Sequence, residues 1–154
     1  MAIAIVPFQE AYAKAFYDLN IEWLETYFYV EDYDREVLSK PAHHILEPGG
    51  HIFFAVEDNI VLGTVALLHR SEEVFELTKM AVLPSERGRG IGKQLMQYCL
   101  DFAKSEKFSG LYLYSNTVLE NAIHIYRKYG FVEVPIPEDN PYHRSNIKMD
   151  FPLS

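Results

Sequence analysis

The sequence predicts one α/β (α+β) domain in which a single mixed β-sheet is covered by helices. The chain has 154 residues, which suits one domain and is too short for two ordinary ones. Its residues are 49% hydrophobic and 23% charged, a balance that favours a folded core over disorder. Strand-like and helix-like stretches alternate without a linker or an internal repeat, so we assign residues 1–154 to one domain.

The first half of the chain predicts a short strand, two helices and then three strands. Residues 2–6 form the short strand, and apolar residues recur at helical spacing over residues 8–24. Residues 34–38 predict a second helix with Asp34 as its N-cap. The three strands that follow are predicted over residues 51–57, 60–70 and 74–82.

The second half predicts two helices and three strands. A loop leads into a strongly amphipathic helix over residues 91–107, whose predicted inner face includes Cys99. A strand of buried type over residues 111–114 precedes a helix over residues 120–129, with Gly130 as the residue that ends it. The two closing strands are predicted over residues 131–134 and 146–151.

Charge and cysteine content exclude several classes of protein. The net charge of -8 is opposite to that of a typical nucleic-acid-binding protein, so we expect no nucleic-acid partner. Cys99 is the single cysteine, which excludes a disulfide framework, and the histidines lack metal-ligand spacing, so we expect no metal site. The chain shows no apolar run of membrane-spanning length and no basic leader, so we expect a cytoplasmic protein without a membrane partner.

The most informative stretch is the glycine-rich segment Leu-Pro-Ser-Glu-Arg-Gly-Arg-Gly-Ile-Gly-Lys-Gln at residues 83–94. It lies between a predicted strand and a predicted helix, where free backbone N–H groups and the helix dipole favour an anion. Its glycines would let the backbone approach a phosphate, and its cations add positive charge. These residues are Gly88, Gly90, Gly92, Arg87, Arg89 and Lys93. The alternative is a solvated basic turn in which the glycines serve only backbone geometry.

Glycine spacing excludes two common phosphate-binding motifs. A dinucleotide-binding fingerprint needs G-x-G-x-x-G, and after Gly88 and Gly90 the third glycine comes one position early. A Walker loop that ends in Gly92-Lys93 would need glycine at position 87, where the chain has Arg87, and Ser or Thr at position 94, where it has Gln94. The segment therefore suits an anion of another kind.

Three motifs in this order resemble the GNAT superfamily of acetyl-CoA-dependent N-acetyltransferases. Residues 87–92 match its R/Q-x-x-G-x-G/A motif, and residues 76–84 resemble its central strand. Residues 119–131 resemble its A-I-x-L-Y-x-x-x-G-F signature. The resemblance implies a mixed, mostly antiparallel sheet of about seven strands flanked by about four helices. It also implies that the sheet splays after the central strand to admit the pantetheine arm of coenzyme A.

The resemblance also implies a site for acetyl-CoA as the acetyl donor. In this family the loop amides hold the pyrophosphate, and the pantetheine arm bonds the backbone of the central strand. The positions that match are Met80, Ala81, Val82, Arg87, Gly88, Arg89, Gly90, Ile91, Gly92 and Lys93. Family members often use an asparagine in addition, for which Asn121 is the better match and Asn116 the weaker, since the usual position holds Leu119. Helix capping is the simpler explanation for either asparagine.

The signature implies that Tyr126 is catalytic. A phenol with a pKa of about 10 can protonate the thiolate of coenzyme A as it departs. The alternative is that Tyr126 only packs one face of its helix together with Ala122 and Ile123.

Glu76 is the candidate general base, because some family members place a catalytic glutamate at the start of the central strand. Strand alternation predicts that Glu76, Thr78 and Met80 share one face. The alternatives are an exposed charge at a strand start, or a water chain that takes the proton.

The acceptor is expected to be a small amine or a peptide amine. Acidic and aromatic residues crowd positions 18–47, a composition that suits a cationic amine. The alternative is ordinary solvated acidity over an aromatic core. A polyamine, an amino sugar, an aminoacyl compound and a protein N-terminus all stay open. Homodimers are frequent in the family, so a homodimer is a further expectation.

Two other functions compete with catalysis. The domain could bind acyl-CoA as a non-catalytic sensor or interaction module, although its intact glycine loop and tyrosine favour an enzyme. A module that binds ATP through the glycine loop conflicts with the motif spacing.

Overall fold

The predicted fold is confirmed by a computed structural model, which describes residues 2–140 and 142–153. One seven-stranded sheet carries four α-helices on its two faces. The strands are β1 (Ala4–Pro7), β2 (His51–Glu57), β3 (Ile60–Ser71), β4 (Val74–Val82), β5 (Gly110–Ser115), β6 (Val132–Val134) and β7 (Ile147–Phe151). The helices are α1 (Ala13–Tyr27), α2 (Asp32–Ser39), α3 (Ile91–Ser105) and α4 (Glu120–Tyr129). Within the described ranges, no helix combines the length and the apolar character that a membrane span requires.

The strand order β1-β2-β3-β4-β5-β7-β6 makes the sheet mixed. Neighbouring strands are antiparallel except β4 and β5, which run parallel. Their pairing begins at Val74 opposite Gly110 and ends at Glu76 opposite Tyr112, although both strands continue. Beyond Glu76 the sheet therefore splays into two halves, as predicted, and a cleft opens between β4 and β5.

Each face of the sheet has its own core. Helices α3 and α4 cover one face, where Leu77, Leu95 and Met149 are buried. Helices α1 and α2 cover the other face around Phe16 and Phe54. The prediction that Cys99 belongs to the core is confirmed, because it is fully buried in the first cluster and burial raises the pKa of its thiol.

A β-bulge in β4 reverses the side-chain alternation that the sequence predicts. Thr78 pairs with Ala66 and Ala81 with Thr64, so Lys79 and Met80 together oppose a single residue of β3. Lys79 adopts a left-handed backbone conformation, with φ at 55°. The predicted common face for Glu76, Thr78 and Met80 is thus wrong for Met80, because the extra residue turns Met80 towards the core under α3.

The chain before β2 differs from the prediction at several helix ends. Helix α1 starts at Ala13, after a 3-10 turn at Glu10–Tyr12, and a π-helical turn over Ala42–Leu46 was not predicted. Asp34 is not an N-cap. Glu31 caps α2, and Asp34 sits three residues later, where its carboxylate accepts the N–H of Glu31 at 3.0 Å in a capping box. The reciprocal bonds explain why an acidic pair, and not one residue, starts this helix.

Gly50→Ala should destabilise the fold, because Gly50 sits where two backbone segments meet. A Cβ at this position would lie 2.6 Å from the carbonyl oxygens of both Ile45 and Leu67, so backbone would have to move. We expect a loss of roughly 1–3 kcal/mol in the free energy of unfolding, measured by urea denaturation. Gly92→Ala is the matched control, because its Cβ would meet only the Met80 sulfur at 3.8 Å. Equal stability of the two variants would contradict this account.

Candidate active site

The cleft between β4 and β5 contains a cavity of about 130 Å³. Residues from α1, α2, β4, β5, α4 and the loop before β7 line it. Its apolar wall includes Trp23, Leu24, Phe28, Leu38, Leu77, Met80, Leu113 and Leu119. Its polar wall includes Asn20, Asp34, Thr78, Lys79, Tyr114, Ser115, Asn116, Tyr126, Tyr142, Arg144 and Ser145. Polar groups therefore converge at the opening of the sheet.

The glycine loop has the backbone geometry of an anion site. Gly88 and Gly90 both have positive φ, at 94° and 79°, and Gly90 is the N-cap of α3. A Cβ at either position would meet no atom within 4 Å, so the space in front of the loop is open. The N–H of Gln94 donates to the Gly90 carbonyl at 3.0 Å and is the first in the helix to do so. The N–H groups before Gln94 are thus available to a ligand.

The two arginines of the loop are tied to carboxylates. Arg87 contacts Glu22 of α1 at 2.7 Å, and its guanidinium lies over the ring of Tyr27. Arg89 pairs with Glu57 and Glu86. Lys93 forms no ion pair within the described ranges. The positive charge expected here is therefore largely balanced, and the backbone is the main feature that favours an anion.

The free edge of β4 lines the same cleft. Past Glu76 this edge has no partner among the described strands, so the backbone of Met80, Ala81 and Val82 lies beside the opening. Met80 lines the cavity and lies next to Gly92 at the start of α3. The predicted central-strand positions and the glycine loop thus meet at one place.

Tyr126 of α4 lines the cavity and also packs against Phe131, with ring centroids 6.0 Å apart. Its hydroxyl makes no hydrogen bond to another described residue, and burial raises its pKa. The catalytic and the packing interpretations are both compatible with this position. The raised pKa keeps the phenol protonated at neutral pH.

Glu76 is buried, so its interpretation as an exposed charge at a strand start is wrong. Its side chain is 1% exposed, and Arg70 binds its Oε1 through Nε at 2.9 Å and a terminal nitrogen at 2.6 Å. The Tyr142 hydroxyl donates to its Oε2 at 2.8 Å. Tyr142 lines the cavity, whereas Glu76 lies behind it. Tyr142 thus links the Glu76 carboxylate to the cavity.

The asparagines are placed differently from each other. Asn121 is exposed in the first turn of α4 and does not line the cavity. Asn116 does line it, but its side chain donates to the Arg144 carbonyl at 2.8 Å and accepts the N–H of Val118 at 2.9 Å. Leu119, at the usual family position, also lines the cavity. Contact of Asn121 with coenzyme A stays a prediction.

Most of the acidic and aromatic residues in positions 18–47 lie away from the cavity. Of that group, Trp23, Phe28 and Asp34 line it, and Tyr33 is 71% exposed. The polar residues of the cavity that were not predicted include Lys79, Tyr142 and Arg144. A lysine between the apolar residue Leu77 and the apolar segment Met80–Val82 was a usable signal. The other two follow a proline-rich loop and carry no local signal.

No cluster of three or more His, Cys, Asp or Glu side chains suited to a metal ion occurs in residues 2–140 and 142–153. The acetyltransferase (GNAT) family model matches residues 8–131 of the chain. This match includes strands β2 to β5, the glycine loop and Tyr126.

Similar proteins include two relatives and a solved structure. The chain is 31% identical over 96 residues to the uncharacterised N-acetyltransferase YjgM of Escherichia coli, covering 60% of this chain and 58% of YjgM. It is 33% identical over 97 residues to N-acetylaspartate synthetase of Xenopus tropicalis, covering 62% of this chain and 36% of that protein. The chain thus spans less than two thirds of the length of either relative.

The solved structure is that of the PaiA N-acetyltransferase from Thermoplasma acidophilum in complex with coenzyme A. It superposes with a TM-score of 0.78 at 21% identity, over 98% of this chain and 99% of that chain. At this identity the likeness concerns the fold, which includes the splayed sheet described above.

Proposed function

Because the chain belongs to the acetyltransferase (GNAT) family, we propose that it transfers an acetyl group from acetyl-CoA to a primary amine by direct attack in a ternary complex. The observation that carries this proposal is the cavity in the splayed sheet, which is lined by Tyr126 and by Met80, the neighbour of Gly92 in the glycine loop. The names of the two relatives do not identify a common acceptor, because one is uncharacterised and the other is named for N-acetylaspartate.

The donor site is proposed at the glycine loop and the free edge of β4. Backbone N–H groups from Gly88 to Lys93 would hold the pyrophosphate, as open space and left-handed glycines at the loop permit. The backbone of Met80, Ala81 and Val82 would hold the pantetheine arm, and an N–H there would polarise the acetyl carbonyl. Acetyl-CoA supplies the thioester-activated acetyl group when it is bound.

Tyr126 is proposed as the general acid. Tyr126 lines the cavity, its hydroxyl has no described hydrogen-bond partner, and burial keeps it protonated. A protonated phenol beside the sulfur would neutralise the thiolate as the amine takes the acetyl group.

Glu76 is proposed as the general base that acts through Tyr142. As the amine attacks, the Tyr142 hydroxyl would take its proton and pass its own proton to Oε2 of Glu76, 2.8 Å away. Burial and the nearby Glu76 charge raise the pKa of Tyr142, so the tyrosine acts as a relay and does not hold a charge. Arg70 would hold the Glu76 carboxylate in place.

The first test of the proposed function is thermal unfolding with and without acetyl-CoA. At about 100 times Kd, acetyl-CoA should add about 2.7 kcal/mol of stability, and ATP should not. Amine-dependent release of coenzyme A thiol should follow. Stabilisation without turnover of any amine would instead support a non-catalytic acyl-CoA-binding module, and no stabilisation would contradict the donor site.

Gly90→Ala should abolish most of the stabilisation by acetyl-CoA. Its φ of 79° strains any residue with a Cβ, so the loop would shift its N–H groups. Gly49→Ala is the matched control, because Gly49 has a φ of 105° but lies in the turn before β2. Both variants should lose about 1 kcal/mol without ligand, and only Gly90→Ala should lose the response to acetyl-CoA. An unchanged response in Gly90→Ala would argue against pyrophosphate binding at this loop.

A further inference from the structure

We propose that the acceptor amine also carries a carboxylate, as a small amino acid does, and that Lys79 and Arg144 bind this carboxylate in the cavity. This inference rests on the proposed acetyl transfer, and it names the class of acceptor. It reverses the charge preference that the acidic composition of positions 18–47 suggests, because the charges that line the cavity differ from those of that segment.

Lys79 owes its position to the β4 bulge. The bulge interrupts the side-chain alternation of β4 at Lys79. The left-handed backbone there places Lys79 in the cavity wall. A non-glycine residue in this conformation is strained, and such strain concentrates at functional sites. The fold thus holds a lysine at the centre of the splayed sheet, where an apolar residue would pack more easily.

The ammonium group of Lys79 forms no ion pair with any residue in the described ranges. Burial lowers the pKa of Lys79, and the nearby Glu76 and Asp34 charges oppose that shift without a direct contact. Lys79 is half-buried and lines the cavity, so a carboxylate of a ligand there could contact its Nζ and favour the charged form of the lysine.

Arg144 is the second cation of the cavity wall. Its side chain is 14% exposed, and its two terminal nitrogens contact the two oxygens of Asp34 at 3.1 and 2.8 Å. Glu31 lies 3.6 Å away on the outer side and does not line the cavity. The Asp34 pair fixes the guanidinium in place, and an arginine carries further N–H donors. Arg144 is therefore positioned to donate to an oxygen of a ligand.

Of the charged residues that line the cavity, Asp34 is acidic and Lys79 and Arg144 are basic. Arg144 contacts Asp34 and Glu31, and behind the wall Arg70 contacts Glu76, so within the described ranges Lys79 is the lining cation that no carboxylate contacts directly. An amino carboxylate would complete this arrangement, with its amine towards the β4 edge and its carboxylate towards Lys79. A polyamine would instead bring a second ammonium next to Lys79 and Arg144, which like-charge repulsion disfavours.

The test compares acceptors that differ only in the carboxylate. Each of several L-amino acids is assayed beside its amide and its decarboxylated amine, at saturating acetyl-CoA, together with spermidine. The wild type should have a kcat/KM at least tenfold higher for an amino acid than for its two uncharged counterparts. Faster turnover of spermidine or of the decarboxylated amines, or no turnover of any amino acid, would overturn this inference.

Lys79→Met and Lys79→Arg give the residue-specific test. Lys79→Met should raise KM for the amino acid by about 10- to 100-fold, because one charge-assisted hydrogen bond is lost. In Lys79→Arg, KM should return most of the way to the wild-type value. KM for acetyl-CoA and turnover of the decarboxylated amine should stay unchanged. Lys40→Met is the matched control, since Lys40 is 61% exposed and lies outside the cavity.

The outcomes separate this inference from the proposed function. Unchanged KM for the amino acid in Lys79→Met, with acetyl-CoA binding and amine turnover intact, would overturn the role of Lys79 alone. Loss of acetyl-CoA stabilisation in the wild type would overturn the proposed function itself. Thermal unfolding of each variant without ligand checks that it is folded.

Discussion

Tyr126→Phe should lower kcat by about 10²–10⁴-fold and leave the affinity for acetyl-CoA unchanged. The substitution removes the hydroxyl of a residue that lines the cavity and keeps the ring that packs on Phe131. Because the hydroxyl has no described partner, its loss breaks no hydrogen bond of the fold. The substitution should therefore lower kcat, because the general acid is lost. The midpoint of thermal unfolding should hardly move. Steady-state kinetics with titration of acetyl-CoA measures both quantities.

Tyr98→Phe is the matched control for that experiment. Tyr98 lies on α3 and packs edge-to-face on Phe53 with ring centroids 4.9 Å apart, and it does not line the cavity. It should keep full activity. If Tyr126→Phe also kept full activity, Tyr126 would be a packing residue, and the protonation of the thiolate would need another donor or water.

Glu76→Gln should lower kcat by a similar factor, because an amide cannot take the proton that Tyr142 passes on. Arg70 would keep a neutral partner in place of a charged one. Its side chain is 39% exposed, so solvent limits the cost in unfolding free energy to roughly 1–3 kcal/mol.

Two further variants separate catalysis from stability at this position. Tyr142→Phe removes the link to the cavity and keeps the Glu76–Arg70 pair, so it should reproduce the loss of kcat with a smaller loss of stability. Glu73→Gln changes an exposed carboxylate near the start of β4 and should leave both unchanged. If Glu76→Gln lost stability but kept kcat, Glu76 would only position Arg70 and Tyr142, and a water chain would be the base.

The local patterns predicted the elements of this fold well. The predicted bounds of β4 and α4 match those observed, and Gly130 ends α4 with φ at 110° as expected. Both elements are specified by short-range signals, namely side-chain periodicity and a residue that tolerates the left-handed region. The first residue of α2 was harder to predict, because its capping box could have been formed by any of several nearby acidic residues.

The candidate site was predicted less completely. Gly88, Gly90 and Tyr126 belong to compact motifs, and the structure shows the left-handed glycines and places Tyr126 at the cavity. The partners of the nearby charges could not be read from the sequence. For Glu76 the sequence left open a general base or an exposed charge at a strand start, and the structure shows its carboxylate bound by Arg70 and Tyr142.

By itself, the sequence determined the order of strands and α-helices, the position of the glycine loop between a strand and a helix, and the place of Tyr126 in a helix that matches the family signature. These features depend on residues a few positions apart, so spacing alone encodes them. Only the tertiary structure decided the partners of the charged residues, such as Asp34 with Arg144, which are 110 positions apart. It also decided the β4 bulge that places Lys79 in the cavity. Both depend on how distant strands align, because register and ion pairing are set by packing across the whole sheet.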